Sequence, residues 1–290
     1  MPDGVFAGGE RFAYTDFLDF LDTYDRAASV IRTVQDYRDV TYEYLAGCAS
    51  EGAVYVELIV SPDHSRRLAL SGEEHLGAIA RGIDDARSDH GIEARILLVA
   101  VRNLGVERSL SVARYAATRP HPYVVGFNLA GDEANYPVRQ FSEAFAIASD
   151  AGLGCSVHAG EWDGPQSVRE ALELPVTRIG HGVRAIEDAA LVDELARRGT
   201  VLECCPTSNV VLGLYDSYEN HPLPQLRAAG VKVTLGSDDP PYFGASIGGE
   251  YELCRDHFGF DDEDLRAISR TAVEAAFCED TLKERLIQSV

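Results

Sequence analysis

The sequence predicts an α/β fold, a (β/α)8 TIM barrel lacking its first strand. Three observations predict it. Seven short apolar runs rich in β-branched residues alternate with segments of helical period. Polar residues follow at least five of those runs, and a barrel gathers its active site at the C-terminal strand ends, whereas an open sheet concentrates it at one switch point. The chain also opens with helices where a barrel would place a strand.

The elements follow in order. Residues 14–50 read as two helices, from Phe17, Leu18, Leu21, Ala28 and Ile31, then Val34, Tyr37, Val40, Tyr44 and Leu45. Val54 to Val60, ended by Ser61-Pro62, reads as a buried strand. Helix 73–89 then precedes strand 94–101, helix 104–118 precedes strand 123–129, and helix 138–151 precedes strand 154–158. A helix near 165–173 leads to a strand near 176–180, helix 187–198 to strand 200–204, and helix 222–229 to strand 231–236. Helices near 246–257, 263–276 and 280–288 close the chain. Gly91, Gly152, Gly199 and Gly230 stand where helices should stop. With no linker or low-complexity stretch, residues 1–290 are expected to form a single, incomplete barrel domain.

The net charge of −21 repels phosphate backbones and argues against nucleic-acid binding. No apolar run approaches the length of a membrane span, and no basic-then-apolar leader opens the chain. Cys48, Cys155, Cys204, Cys205, Cys254 and Cys278 show no C-x-x-C spacing, which suits reduced core thiols and a cytoplasmic location. Oligomeric state is not legible.

Four strand-end motifs carry the chemistry: His158-Ala159-Gly160-Glu161, Gly180-His181-Gly182, Cys205-Pro206-Thr207-Ser208-Asn209 and Ser237-Asp238-Asp239-Pro240. Histidine is the commonest metal ligand, and a nearby glutamate can shuttle protons. Adjacent aspartates at a strand end are costly unless a cation, metal or ligand offsets them. Each motif alone is weak: His158 could be a satisfied strand-end histidine, His181 a turn residue, and Asp238-Asp239 a helix cap. Ser208 and Asn209 read as turn or cap residues.

Taken together, and with Tyr55-Val56-Glu57 and Leu129-Ala130-Gly131-Asp132-Glu133, the motifs make the chain resemble the adenosine deaminase family of metal-dependent hydrolases, from about Phe17 to Tyr251. The resemblance implies one zinc ion per subunit, with His158 and Asp238 as ligands. Glu161 would protonate a purine ring nitrogen. His181 would orient and help deprotonate the attacking water. Asp239 would hold the purine and the attacking oxygen, and the backbone of Gly131 would contact the purine ring. The implied substrate is a small-molecule 6-aminopurine: adenosine or 2′-deoxyadenosine first, free adenine second, other 6-aminopurine nucleosides third.

One feature departs from the family. Its members open with a strand bearing His-x-His, which supplies two further zinc ligands and ribose contacts, and no His-x-His occurs in these 290 residues. His64, His75, His90, His121, His221 and His257 read as isolated. The expectation is a deaminase whose intact chain begins upstream of Met1, the stretch Pro2 to Glu10 being turn-like, and which as it stands binds zinc weakly. The alternative is a non-catalytic purine- or partner-binding protein.

Overall fold

The computed structural model describes residues 5–8, 11–68 and 70–290. The turn read over Pro2 to Glu10 lies largely outside the described residues. Its described part includes β1 (Phe6–Gly8), which pairs antiparallel with β2 (Arg11–Phe12). The helices α1 (Phe17–Ala28) and α2 (Val34–Ser50) follow, and then β3 (Tyr55–Val60) begins the main sheet.

That sheet has seven parallel strands in sequence order: β3, β4 (Glu93–Val101), β5 (Val124–Ala130), β6 (Gly154–Ala159), β7 (Arg178–His181), β8 (Val201–Cys204) and β9 (Lys232–Leu235). Sequential neighbours throughout mean right-handed crossovers of one kind, the topology of a barrel rather than of a doubly wound sheet. The connections include α3 (Pro62–Arg66), α4 (Gly72–His90), α5 (Val106–Ala117), α6 (Ser142–Asp150), α7 (Pro165–Ala171), α8 (Ala189–Arg198), α9 (Pro206–Val211) and α10 (Leu223–Ala228). After β9 come α11 (Pro240–Phe243), α12 (Ile247–Phe258), α13 (Asp262–Ala275) and α14 (Asp280–Ile287).

Local chemistry explains these boundaries. Thr33 with Asp36, Ser71 with Glu74, and Asp261 with Asp264 form capping boxes that satisfy the first N–H groups of α2, α4 and α13. Gly91, Gly152, Gly199 and Gly230 all adopt positive φ, as expected of glycines that stop helices. All seven barrel strands and every long helix lie where the sequence places them. The sequence missed three short helices, α3, α9 and α11, each opening on a proline at its first turn. They are too short to show a period.

The sheet curls. Arg178, at the start of β7, reaches Glu57 on β3 with Nη2 2.6 Å from Oε2, although the two strands lie four places apart in the sheet. Its Nε is 2.9 Å from Glu203 Oε1 on β8, and its Nη1 donates to the Ala275 carbonyl at 3.1 Å. The guanidinium lies 3.6 Å from the centre of the Phe277 ring. Phe277 in turn presses on β6, where a Cβ at Gly154 would fall 2.2 Å from its ring. The turn after α13 therefore plugs the N-terminal end of the barrel, and only glycine leaves it room.

The main hydrophobic core lies between strands and helices, with Ile96, Leu98, Phe127, Phe141, Phe145 and Ile179 almost wholly buried. A smaller cluster from the C-terminal helices, including Val273, Leu282 and Leu286, packs under Val54 and Tyr55. Between the first and last strands, α2 spans the gap. Arg38 pairs with Asp85 of α4 at 2.7 Å, while Tyr44 Oη lies 3.2 Å from Ser237 Oγ just past β9. Among the described residues no helix is long and apolar enough to cross a membrane, and none of the six cysteines forms a disulfide.

Replacing Arg178 with methionine should leave Glu57 and Glu203 without their buried cation. Removing one member of such a pair costs about 3–5 kcal/mol. Urea unfolding followed by circular dichroism should show that loss, and a loss below about 1 kcal/mol, the worth of an exposed pair, would refute a structural role for Arg178.

Candidate active site

The site is built on the C-terminal ends of β5 to β9. His158, on β6, is held from two sides. Its ring Nδ1 lies 3.1 Å from Asn128 Oδ1 on β5, and its carbonyl accepts from the Arg102 guanidinium. An amide oxygen can only accept, so Nδ1 carries the proton and Nε2 presents a lone pair. Burial, then His181 and Arg102, push the imidazole pKa well below its ordinary value. His158 is thus neutral and suited to bind a metal through Nε2.

Past His158 the chain turns sharply. Gly160 has φ +71°, and a Cβ there would lie 2.3 Å from Val168 Cγ2. Glu133 fastens the turn: its carboxylate accepts from the backbone N–H of Gly160, of Glu161 at 3.0 Å and of Trp162 at 2.8 Å. The turn carries Glu161 inward to 5% exposure. Burial is the main influence on its carboxyl; with Asp238 and Glu133 adding and His181 opposing, its pKa rises to about 7. Trp162 stacks on Phe17 of α1, ring centres 4.8 Å apart.

His181 ends β7 with φ +57°, and Asp238, past β9, has φ +54°. Both are left-handed conformations that non-glycine residues rarely hold, and such strain persists where surrounding contacts enforce it. His181 Nε2 lies 3.7 Å from Glu161 Oε2 and 3.8 Å from Asp238 Oδ2. Burial opposes an imidazolium at His181, but Glu161 and Asp238 outweigh it and raise the pKa. The His158 and His181 rings are 5.2 Å apart. Asp238 Oδ2 also accepts from Ser208 Oγ at 2.6 Å. Burial, Asp238 and Glu161 hold the Asp239 carboxyl well above the usual range.

The donor set fits a metal ion. One ligand atom each from His181, Cys205 and Asp238 lies within 4.8 Å of the others, a mixture of nitrogen, sulfur and oxygen donors that zinc accepts. The acidic groups around it supply the charge a cation would offset.

The structure brings His158, Glu161, His181, Asp238 and Asp239 into one cluster. Gly131, with φ +104°, sits directly past β5, two residues before the Glu133 clamp. Two readings are corrected. Asp239 stands at the N-cap position of α11, but its side chain makes no capping bond there. Ser208 and Asn209 are not turn residues: they lie in α9, wholly buried, with Ser208 on Asp238 and Asn209 on His181. Cys205, Asn128, Arg102 and Glu133 escaped sequence reasoning as contributors. Cys205 and Glu133 stood inside quoted motifs without a role of their own, and the signal for Asn128 and Arg102 was their place on or just past the C-terminal half of a predicted strand.

Nor is His221 isolated, since Asn209 joins it to His181. The remaining histidines do stand apart from the cluster. His64 pairs with Asp25 at 3.0 Å, His75 packs on Tyr37, His90 on Tyr42 and His121 on Tyr123, and His257 pairs with Glu219 at 3.1 Å.

Comparison with known proteins agrees with this architecture. The family model described as adenosine deaminase matches residues 10–290. A curated relative, the adenine deaminase of Agrobacterium fabrum, is 46% identical over 278 residues, covering 96% of this chain and 86% of the relative. The solved adenine deaminase from Arthrobacter aurescens superposes with a TM-score of 0.90 at 29% identity, over 95% of this chain and 84% of that one. A solved amidohydrolase from Burkholderia ambifaria with bound Zn gives 0.87 at 26% identity, over 98% of this chain and 78% of its own. Fold, strand-end cluster and sequence relatives agree, and the chain is a deaminase belonging to the adenosine deaminase family.

Proposed function

We propose that this chain hydrolyses adenine to hypoxanthine and ammonia, with zinc at the strand-end site. The observation that carries the reading is Glu161, a buried carboxyl whose pKa of about 7 lets it arrive protonated, 3.7 Å from His181 and backed by the Glu133 clamp. A protonated carboxyl can donate to a purine ring nitrogen, which makes the adjacent amino-bearing carbon electrophilic. Water adds there, the carbon–nitrogen bond breaks, and the amino group leaves as ammonia.

His158 and Asp238 would hold the metal, with Cys205 at hand. When bound, it would lower the pKa of water toward about 7. The chain's own groups do the rest. Asp239, held above the usual carboxylate range by burial and by Asp238, can exchange a proton with the attacking water or the purine. His181 orients the attacking oxygen, and the Gly131 backbone is free to meet the ring.

Adenine ranks above adenosine for two reasons. Curated relatives at 45–46% identity are named adenine deaminases. The solved adenine deaminase from Arthrobacter aurescens, at 29% identity, shares the fold over 95% of this chain. The Leu129 to Glu133 motif, which made adenosine the first expectation from sequence, does internal work instead. Asp132 binds Asn135 and Glu133 binds the Glu161 turn, so these two side chains do not distinguish base from nucleoside.

With added zinc, adenine should be turned over with kcat/KM at least about tenfold above adenosine, a ratio within reach of pocket contacts. Equal or better use of adenosine in an ammonia-release assay would sink the base assignment, and no release from either would favour a non-catalytic purine binder. Glu161→Gln should cut kcat by about 10²–10⁴-fold, the usual worth of a positioned acid, while leaving the unfolding curve in place. Retained turnover would remove Glu161 from its role. Chelation should abolish activity, and zinc should restore it more fully than magnesium, since nitrogen and sulfur donors disfavour the harder ion; indifference to chelation would exclude a metal requirement.

A further inference from the structure

A chain of hydrogen bonds enters the site from outside the catalytic cluster. The backbone N–H of Leu223 donates to His221 Nδ1 at 3.2 Å. His221 Nε2 lies 3.1 Å from Asn209 Oδ1, and Asn209 Nδ2 lies 3.2 Å from His181 Nδ1. All three side chains are almost fully buried: His221 at 1%, Asn209 at 0% and His181 at 2% exposure.

The direction of every bond follows from its first member. A backbone amide can only donate, so His221 Nδ1 must accept. Burial pushes the His221 pKa down to about 3, so the ring stays neutral, and its one proton then sits on Nε2. That proton goes to Asn209 Oδ1, 3.1 Å away. The Asn209 amide is thereby oriented with Nδ2 toward His181, where two N–H groups must meet a lone pair. His181 Nδ1 is therefore an acceptor and the ring carries its proton on Nε2; a second proton on Nδ1, which Glu161 and Asp238 favour, would face the Asn209 N–H and is opposed by it.

The relay is rigid as well as directional. The Asn209 carbonyl accepts from Leu214 N at 2.9 Å and Tyr215 N at 3.2 Å, fixing its backbone. The His221 ring packs between Tyr215 at 5.1 Å and Phe258 at 5.7 Å. None of these groups reaches the reacting atoms.

We propose that Asn209 and His221 are positioning residues that lock His181 as the Nε2–H tautomer, so that His181 serves the site as a hydrogen-bond donor and not as a base. The inference rests on the deaminase reading for its catalytic meaning. Its Nε2–H faces the space bounded by Glu161 Oε2 and Asp238 Oδ2, where a donor can hold and orient an attacking oxygen. The proton removed from that oxygen must then go to a group other than His181. This reassigns the part in deprotonation that the family resemblance gives to His181.

The test is long-range proton–nitrogen NMR on the full chain with nitrogen-15 histidine, metal-free and with zinc. His181 should show an unprotonated Nδ1 and a protonated Nε2; the reverse pattern overturns the proposal. In Asn209→Asp, a carboxylate can only accept, so His181 should gain a proton on Nδ1, whether as the other tautomer or as the imidazolium. Its kcat should fall about 10–100-fold, the usual effect of losing a group that orients an active-site imidazole, with KM little changed. An unchanged tautomer in folded Asn209→Asp refutes the relay.

If that variant does not fold, His221→Phe keeps the ring packing but frees the amide to rotate, and should give a mixed tautomer at His181. His221→Gln, which keeps a donor toward Asn209, should restore the wild-type pattern. A His181 spectrum identical in His221→Phe overturns the relay. The NMR readout separates the two claims: a wild-type chain with the expected tautomer but no ammonia release refutes the proposed reaction and leaves the relay standing.

Discussion

The curl of the sheet is the constraint on which the rest depends. Seven parallel strands in sequence order could lie as an open twisted sheet, with strand ends fanned apart. Arg178 prevents that by joining β7 to β3 through Glu57 and to β8 through Glu203, inside the barrel and under the Phe277 plug. A buried guanidinium tolerates its desolvation only when carboxylates and carbonyls surround it, so these partners must converge. Convergence at the N-terminal end fixes the strand tilt, and strand tilt brings the opposite ends together. Those opposite ends are the site.

At that end, each reactive side chain is held by a residue from a different strand end. Asn128 of β5 sets His158 of β6, and Glu133 after β5 sets the turn bearing Glu161. Ser208 and Asn209, after β8, set Asp238 and His181. The supports cost little, because each also satisfies backbone or side-chain polar groups that would otherwise be buried unpaired. They explain how His181 and Asp238 keep left-handed backbones that no local preference supports.

The electrostatics of the cluster follow from crowding. Glu133, Glu161, Asp238 and Asp239 crowd one largely buried site, and the buried Arg102 guanidinium offsets them only in part. The raised pKa values of Glu161 and Asp239 are the result, and so is the affinity for a cation that such a set implies. Acid function at Glu161 and metal binding at the aspartate thus have one origin: carboxylates withdrawn from water in a space that cannot hold all of their charges.

The sequence by itself determined the secondary elements and their order. Apolar runs bounded by glycine and capped helices are local signals, and they placed all seven barrel strands and the long helices. It also marked His158, Glu161, His181, Asp238 and Asp239, because each closely follows or ends such a run and barrel topology gathers strand ends. Only the tertiary structure decided what holds those residues. In one dimension Asn128 looks like an ordinary strand residue, and Glu133, Arg102 and the pair Asn209–His221 like ordinary loop or helix residues. Their partners lie 12 to 56 residues away, brought close by a curvature that no local pattern encodes. The tautomer of His181 is the extreme case. A backbone amide at Leu223 sets it through two intervening side chains, and that connection exists only once β7, α9 and the turn before α10 pack together.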